Sequence, residues 1–325
     1  MVILHLIWAS IGMAGLMRRL GLGRLAQTVS GLAFGLSGYL VARAWFASIS
    51  STIAWLPWVM WFGFDLVVKQ SKFKTLLKLG VVLGLQLLAG HAQSTWYTWL
   101  LAGLWVGFWS WQNQENSDET NWEKTKSFFK NWVLLGVTIF IGIALAAIQL
   151  IPTAEYLLQS QRSATVDYEL AMGYSFWPWR LVGLLTPNFF GSQAHGDYWG
   201  YGSFWEDAIY IGIVPILLTL AALRRGLASS KKIKPASEWM PPTKNLIRFL
   251  FVVIIIAFVF ALGDNTAIFP WLFRNMPTFD MFRSPTRFSI WAVFAMAILS
   301  GFGVEQWRKP INRGLYWTRL GTAGA

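Results

Sequence analysis

Phe249–Leu250–Phe251–Val252–Val253–Ile254–Ile255–Ile256–Ala257–Phe258–Val259 is a run of eleven apolar side chains without a polar interruption. A membrane barrel strand alternates lipid-facing and lumen-facing residues, and this run has no such period. It reads as a helix, the form in which a chain in lipid satisfies its own backbone hydrogen bonds. Working outward from it, stretches near the ~20 residues needed to cross a hydrocarbon core recur along the chain. Nine are expected: 2–17, 25–42, 49–68, 75–90, 95–111, 132–151, 207–223, 246–263 and 286–304. Several are short and must borrow flanking residues or thin the bilayer locally. The expected fold class is an all-α polytopic membrane protein, with residues 1–325 forming one multi-span membrane domain.

Composition agrees. Hydrophobic residues make up 55% of the 325 and charged residues only 13%, about half the charged share of an ordinary soluble domain. The 21 Trp, 24 Phe and 9 Tyr suit two membrane–water interfaces. Zero Cys excludes disulfides, iron–sulfur sites and thiol chemistry. Three His argue against a histidine-rich metal centre, and neither metal nor cofactor is expected.

The net charge of +12 would point to nucleic acid in a soluble protein. Here its distribution gives a topology instead. The segments 18–24, 69–78, 112–131, 224–248 and 305–325 hold 21 of the 27 Lys and Arg. The alternate segments hold Arg43, Arg162, Arg180, Arg274, Arg283 and Arg287, with no Lys. By the positive-inside rule the first set faces the cytoplasm, which puts the N-terminus out and the C-terminus in. No nucleic-acid partner is expected; membrane lipids are. The orientation leaves Met1 outside with Arg18 and Arg19 after the first apolar run, the reverse of a signal peptide. Either that helix inserts in reverse or a preceding span is missing.

Asp65 and Lys78 lie near span ends, where both can snorkel to the interface. No ionisable residue sits at mid-membrane, which counts against ion-coupled transport. Polar groups gather outside. The loop 152–206 carries Glu155, Asp167, Glu169, Asp197, Glu206, Arg162 and Arg180 among thirteen aromatic residues. Within it, Ser175–Leu185 reads as an interfacial helix capped by Ser175. Carboxylates can take a proton from an attacking hydroxyl, aromatic faces pack on sugar rings, and arginines clamp phosphate. Equally, acids solvate such a loop while aromatics anchor it.

Two further clusters face the same side. In Phe282–Arg283–Ser284–Pro285–Thr286–Arg287–Phe288, a helix capped by Ser284 with Pro285 in its first turn would place Arg283 and Arg287 on one face. That arrangement is an anion site, unless both side chains merely snorkel. In Gly90–His91–Ala92–Gln93–Ser94, His91 is either a base or a loop histidine with a local hydrogen bond.

Several of these segments together resemble the YfhO-like family of bacterial membrane proteins, placed with the GT-C glycosyltransferases. They are Leu36–Ser37–Gly38–Tyr39 with Arg43, Trp55–Leu56–Pro57, Gly90–His91–Ala92–Gln93, and Ala147–Ile148–Gln149–Leu150–Ile151–Pro152–Thr153–Ala154–Glu155. Next come Ser160–Gln161–Arg162, Leu185–Thr186–Pro187–Asn188–Phe189–Phe190–Gly191, Glu206 with Tyr210–Ile211–Gly212, and Phe282 to Phe288. The pieces span most of residues 10–307 in the family's order.

The resemblance implies an enzyme that moves a sugar from a polyprenyl-phosphate carrier to a cell-envelope acceptor on the outer face. It also implies a departure: such enzymes carry their catalytic acid in a first outer loop that has no counterpart here. The chain is therefore expected to be a fragment without that acid. Glu155 and Glu206 are the candidate catalytic carboxylates, and Arg162, Arg283, Arg287, His91 and Gln93 the candidate substrate-binding residues. The carrier's tail would lie between helices, its phosphate near outer arginines, and the sugar under the loop 152–206. The alternative is a non-catalytic lipid or saccharide transporter, or an envelope-assembly protein.

Overall fold

The computed structural model describes residues 1–69, 72–115, 120–159, 167–200, 202–228 and 243–308. Arg162, with the neighbouring Ser160 and Gln161, lies outside them. Among the described residues every regular element is helical. Six helical segments are long and apolar enough to cross a membrane: Val2–Arg19, Arg24–Ala42, Ala47–Val68, Asn121–Leu158, Lys244–Ala261 and Pro285–Trp307. The protein is thus an all-helical, multi-pass membrane protein.

In chain order the helices are α1 (Val2–Arg19), α2 (Arg24–Gly35), α3 (Gly38–Ala42), α4 (Ala47–Ile53), α5 (Leu56–Val68), α6 (Lys72–Leu88) and α7 (Ala92–Glu115). Then follow α8 (Asn121–Leu158), α9 (Tyr168–Met172), α10 (Phe204–Asp207), α11 (Ile213–Ala228), α12 (Thr243–Ala261), α13 (Ile268–Asn275) and α14 (Ser289–Arg308). α14 is the central pillar: 94% of its apolar window is buried, against 22% for α8. The apolar side chains of α8, among them Val133, Phe140 and Ile148, face outward, as lipid contact requires.

Without a hydrophobic drive between helices in lipid, small residues decide where backbones approach. Gly31 and Gly35 form such a pair on α2. A Cβ on Gly31 would stand 2.8 Å from the Ser10 carbonyl oxygen of α1, and one on Gly35 2.7 Å from that of Leu6. Gly84 on α6 and Gly142 on α8 meet the same way, a Cβ on Gly84 falling 3.3 Å from the Gly142 oxygen.

Four expected spans differ in outline, one of them 207–223, whose helix α11 begins only at Ile213, after α10 ends at Asp207. The stretch 25–42 is interrupted between α2 and α3, where the Gly38 N–H leaves the helix ladder and donates to the Tyr210 carbonyl at 2.6 Å. The stretch 49–68 is interrupted before α5, whose first turn holds Pro57, a residue without the N–H an uninterrupted helix needs. The stretch 132–151 is only the middle of α8, which has 38 residues and begins in a Thr120–Glu123 capping box. At 1.5 Å per residue α8 is ~57 Å long, nearly twice the hydrocarbon thickness, so part of it stands outside the bilayer.

The bundle has two distinct ends. At one, Asp65 is buried between Arg19 and Lys69, each 2.5 Å away. Asp65 therefore does not snorkel outward; the two basic groups at the ends of α1 and α5 come to it. The same end joins the Gly23 N–H to the Glu305 carboxylate at 2.6 Å and Asn245 of α12 to Gln112 of α7 at 2.9 Å. The N-termini of α7 and α14 lie at the opposite end, and the candidate site is there.

Candidate functional site

Four segments far apart in sequence converge on Glu206. The docking of Gly38 on Tyr210 sets α3 beside α10, and Arg43 follows directly from the end of α3. Arg43 is fully buried; its Nη1 donates to the Tyr39 carbonyl at 3.2 Å and its Nη2 to Glu206 Oε2 at 3.2 Å. Its guanidinium also lies over the Tyr39 ring, 3.7 Å from the centroid, a cation–π contact in a desolvated place. From the other side Arg287 donates through Nε and Nη2 to Glu206 Oε1, at 3.0 and 2.7 Å. Its Nη1 reaches Gln93 Oε1 at 2.8 Å.

Gln93 completes the bracket, donating to the Tyr97 hydroxyl at 2.7 Å and to the Arg283 carbonyl. The Tyr39 hydroxyl donates to the Arg287 carbonyl at 3.1 Å, and the Thr286 hydroxyl to that of Glu206 at 3.1 Å. Burial on its own would raise the Glu206 carboxyl, but Arg43 and Arg287 outweigh it and hold the group below its ordinary range. A carboxylate has about four acceptor directions, and the two guanidiniums make four contacts here. Glu206 is placed to tie four segments together and is poorly placed to accept a substrate proton.

Asp207, the next residue, faces a second group. It pairs with the buried Arg180 and accepts from the Tyr198 hydroxyl at 2.9 Å. Burial pushes its carboxyl up to about 6, the neighbouring Arg180 only partly offsetting it. Burial and Asp207 together raise the Tyr198 phenol.

Beyond Arg180 opens a cavity of about 700 Å³. Its walls include Tyr168, Trp177, Trp179 and Trp199, with Glu169 and Asp264 among the polar groups. Trp177 and Trp179 stack on one another at 4.7 Å, and Trp179 and Trp199 remain 60% and 67% exposed. Local chemistry builds these walls. The Asp167 side chain caps α9, and the Ser175 hydroxyl accepts from the Asp264 N–H at 2.9 Å. Asn265 holds the Phe176 carbonyl at 3.0 Å. Ser175 therefore caps no helix; a seven-residue 3-10 segment, Pro178–Leu184, replaces the expected interfacial helix. Ser175 is drawn instead to the turn after α12.

Of the candidate residues, Gln93, Glu206 and Arg287 meet in one network. His91 sits at its edge, where its Nδ1 accepts from the Ser94 N–H at 3.1 Å. Burial, then the Arg287 charge, lowers the imidazole to about 4, so it is neutral near pH 7. Arg283 gives the network only its carbonyl; its side chain is exposed. The pairing of Arg283 with Arg287 on one helical face does not form. Ser284 takes a left-handed φ of 64°, and a four-residue 3-10 turn follows it. This turns Arg287 inward to Glu206, and the Ser284 side chain does not cap the turn. Glu155 is exposed on the last turns of α8, away from the network.

Arg43, Asp207, Arg180 and Tyr198 were not among the candidates. The signal available for them was the Glu206–Asp207 doublet set against the six arginines of the Lys-free segments, two of which are Arg43 and Arg180. Among the described residues no group of three or more His, Asp or Glu is gathered together. Comparison of the chain with protein-family models, with curated proteins and with solved structures finds no match.

Proposed function

We propose that this protein handles a saccharide at the outer face of a bacterial cytoplasmic membrane, as a glycosyltransferase of the GT-C type working from a polyprenyl-phosphate carrier. The observation that carries the reading is the aromatic-walled cavity beside the Arg43–Glu206–Arg287 network. Its volume falls in the ~300–1,000 Å³ range of small-molecule sites. Exposed Trp rings and carboxylates on one wall are the surface a sugar ring fits, with C–H faces on the indoles and hydroxyls on the acids. The YfhO-like resemblance agrees, since Arg43, Gln93, Glu206 and Arg287 all come from its matching pieces.

In this reading the chain crosses the membrane nine times, the six helical segments above being joined by α6, α7 and α11. The end with Arg19 and Lys69 faces the cytoplasm, following the basic asymmetry. The carrier's tail lies among the helices, and its phosphate stays at the rim near the exposed Arg283.

A second reading, saccharide binding or translocation without transfer, is favoured by one observation. Both buried carboxylates at this end are already held by guanidiniums. One assay addresses both readings. The purified chain in nanodiscs is incubated with radiolabelled polyprenyl-phosphate hexose, and retained label and released hexose are measured. The proposal expects label above that of empty nanodiscs, lost in Trp177→Ala with Trp199→Ala. Release of hexose would select transfer by this chain, retention without release is the binding that both readings share, and no retention would reject both.

A further inference from the structure

The charge of the cavity wall decides which sugar it can take, an inference that rests on the saccharide reading above. Three charged side chains line the cavity: Arg180, Glu169 and Asp264. Arg180 is buried and turned to Asp207, so its charge is balanced within the protein. Glu169 and Asp264 are exposed. Asp264 accepts from the Tyr168 hydroxyl at 2.5 Å through one oxygen, and its backbone is fixed by Ser175. The carboxylate is therefore presented at a set place. Asn265 spends one of its two amide N–H groups on the Phe176 carbonyl, and its side chain keeps an acceptor oxygen and one N–H, without charge. Arg274 is not a wall residue; its guanidinium lies over the Tyr168 ring, 4.9 Å from its centroid.

The wall thus offers negative charge beside the indole rings, and its donors, the indole N–H groups and one Asn265 N–H, are neutral. Hydroxyls and ammonium groups donate to such a wall. A carboxylate or phosphate meets two like charges at short range there. We infer that the cavity selects a neutral or amine-bearing sugar ring and excludes an anionic one. The carrier's phosphate must then stay outside the cavity while the sugar enters it.

Saturation-transfer NMR on the full chain in phosphatidylcholine nanodiscs tests this near pH 7, with methyl glucoside, methyl glucosaminide and methyl glucuronide as probes. Irradiating the aromatic protons should give signals for the first two, with the glucuronide at least ~5-fold weaker. Asp264→Asn combined with Glu169→Gln should raise the glucuronide-to-glucoside ratio toward one. Both carboxylates are exposed, so the variant's melting temperature serves as the check that it is folded. Equal or stronger glucuronide signal in the native chain overturns the inference while leaving the saccharide reading in place. So does an unchanged ratio in the folded double variant. No signal from any of the three probes rejects the saccharide reading itself, and this inference with it.

Discussion

Replacing Glu206 by Ala removes the group on which four segments converge. Its side chain is 2% exposed, and its partners Arg43 and Arg287 are 0% and 13% exposed. The variant would leave two guanidiniums facing each other without a counter-charge. Breaking a buried ion pair from one side costs about 3–5 kcal/mol, a large share of the roughly 5–15 kcal/mol that holds a domain folded. At about 2–4 °C per kcal/mol the melting temperature should fall by roughly 6–20 °C. The assay is a thermal scan of the purified protein in one detergent at one scan rate, since unfolding of such a protein need not be reversible. Glu206→Gln, which keeps the shape and loses the charge, should lie nearer Glu206→Ala than the native protein. Arg287→Ala should be milder, because Arg43 still reaches the carboxylate at 3.2 Å. Glu155→Ala, an exposed acid on α8, should stay within about 0.5 kcal/mol of the native protein. A Glu206→Ala protein that melts with Glu155→Ala would refute the argument that this network holds the end of the bundle together.

Asp207 gives a pH signature opposite in sign to that of its neighbour. Its folded-state carboxyl titrates at about 6, above its ordinary 3.8. Its protonation therefore stabilises the fold, fully at low pH, and that contribution is lost as pH rises through 6. Glu206 is held below its ordinary 4.5, so its contribution is present above that value and lost only below it. Lowering pH from about 7.5 to about 5.5 should then raise the melting temperature, and Asp207→Asn should flatten that rise. Gly35→Leu should disrupt the α1–α2 contact, because even a Cβ there stands 2.7 Å from the Leu6 oxygen. Its readout is loss of the monodisperse peak in detergent, with Gly136→Leu, which meets nothing within 4 Å, as the tolerated control. A chain with no Cys also permits clean topology mapping. Cysteine at Ala194 should react with an impermeant thiol reagent in intact cells and cysteine at Thr120 should not; the reverse pattern would invert the orientation.

The helical, membrane-spanning character was legible because it is carried by local composition. Runs such as Phe249–Val259 need no partner to be read. The interruptions were harder, since Gly38 leaves its helix for a carbonyl at Tyr210, and no local pattern announces a partner 172 residues away. The site was legible by residue type but not by pairing. Gln93, Glu206 and Arg287 were picked out as polar groups in an apolar chain. The pairing assumed for Arg287, however, was its sequence neighbour Arg283, while its actual partners are Glu206 and Gln93. Spacing of i, i+4 predicts a shared face only inside a helix, and the left-handed Ser284 prevents one from forming there. The cavity draws Trp177, Trp199 and Asp264 from separate segments, so its shape belongs to the tertiary fold. Only part of its ingredients, the aromatics and acids of the loop 152–206, stood in the sequence; Asp264 comes from elsewhere.

The claim that the aromatic cavity receives the saccharide is tested most directly by photocrosslinking. A polyprenyl-phosphate hexose bearing a diazirine on the sugar would be irradiated with the full chain in nanodiscs and the adducts mapped by mass spectrometry. The account predicts adducts in residues 168–200 and 263–265, with Trp177, Trp179 and Trp199 foremost, and competition by free methyl glucoside. Adducts confined to the end that holds Arg19, Asp65 and Lys69, or none that methyl glucoside displaces, would contradict it.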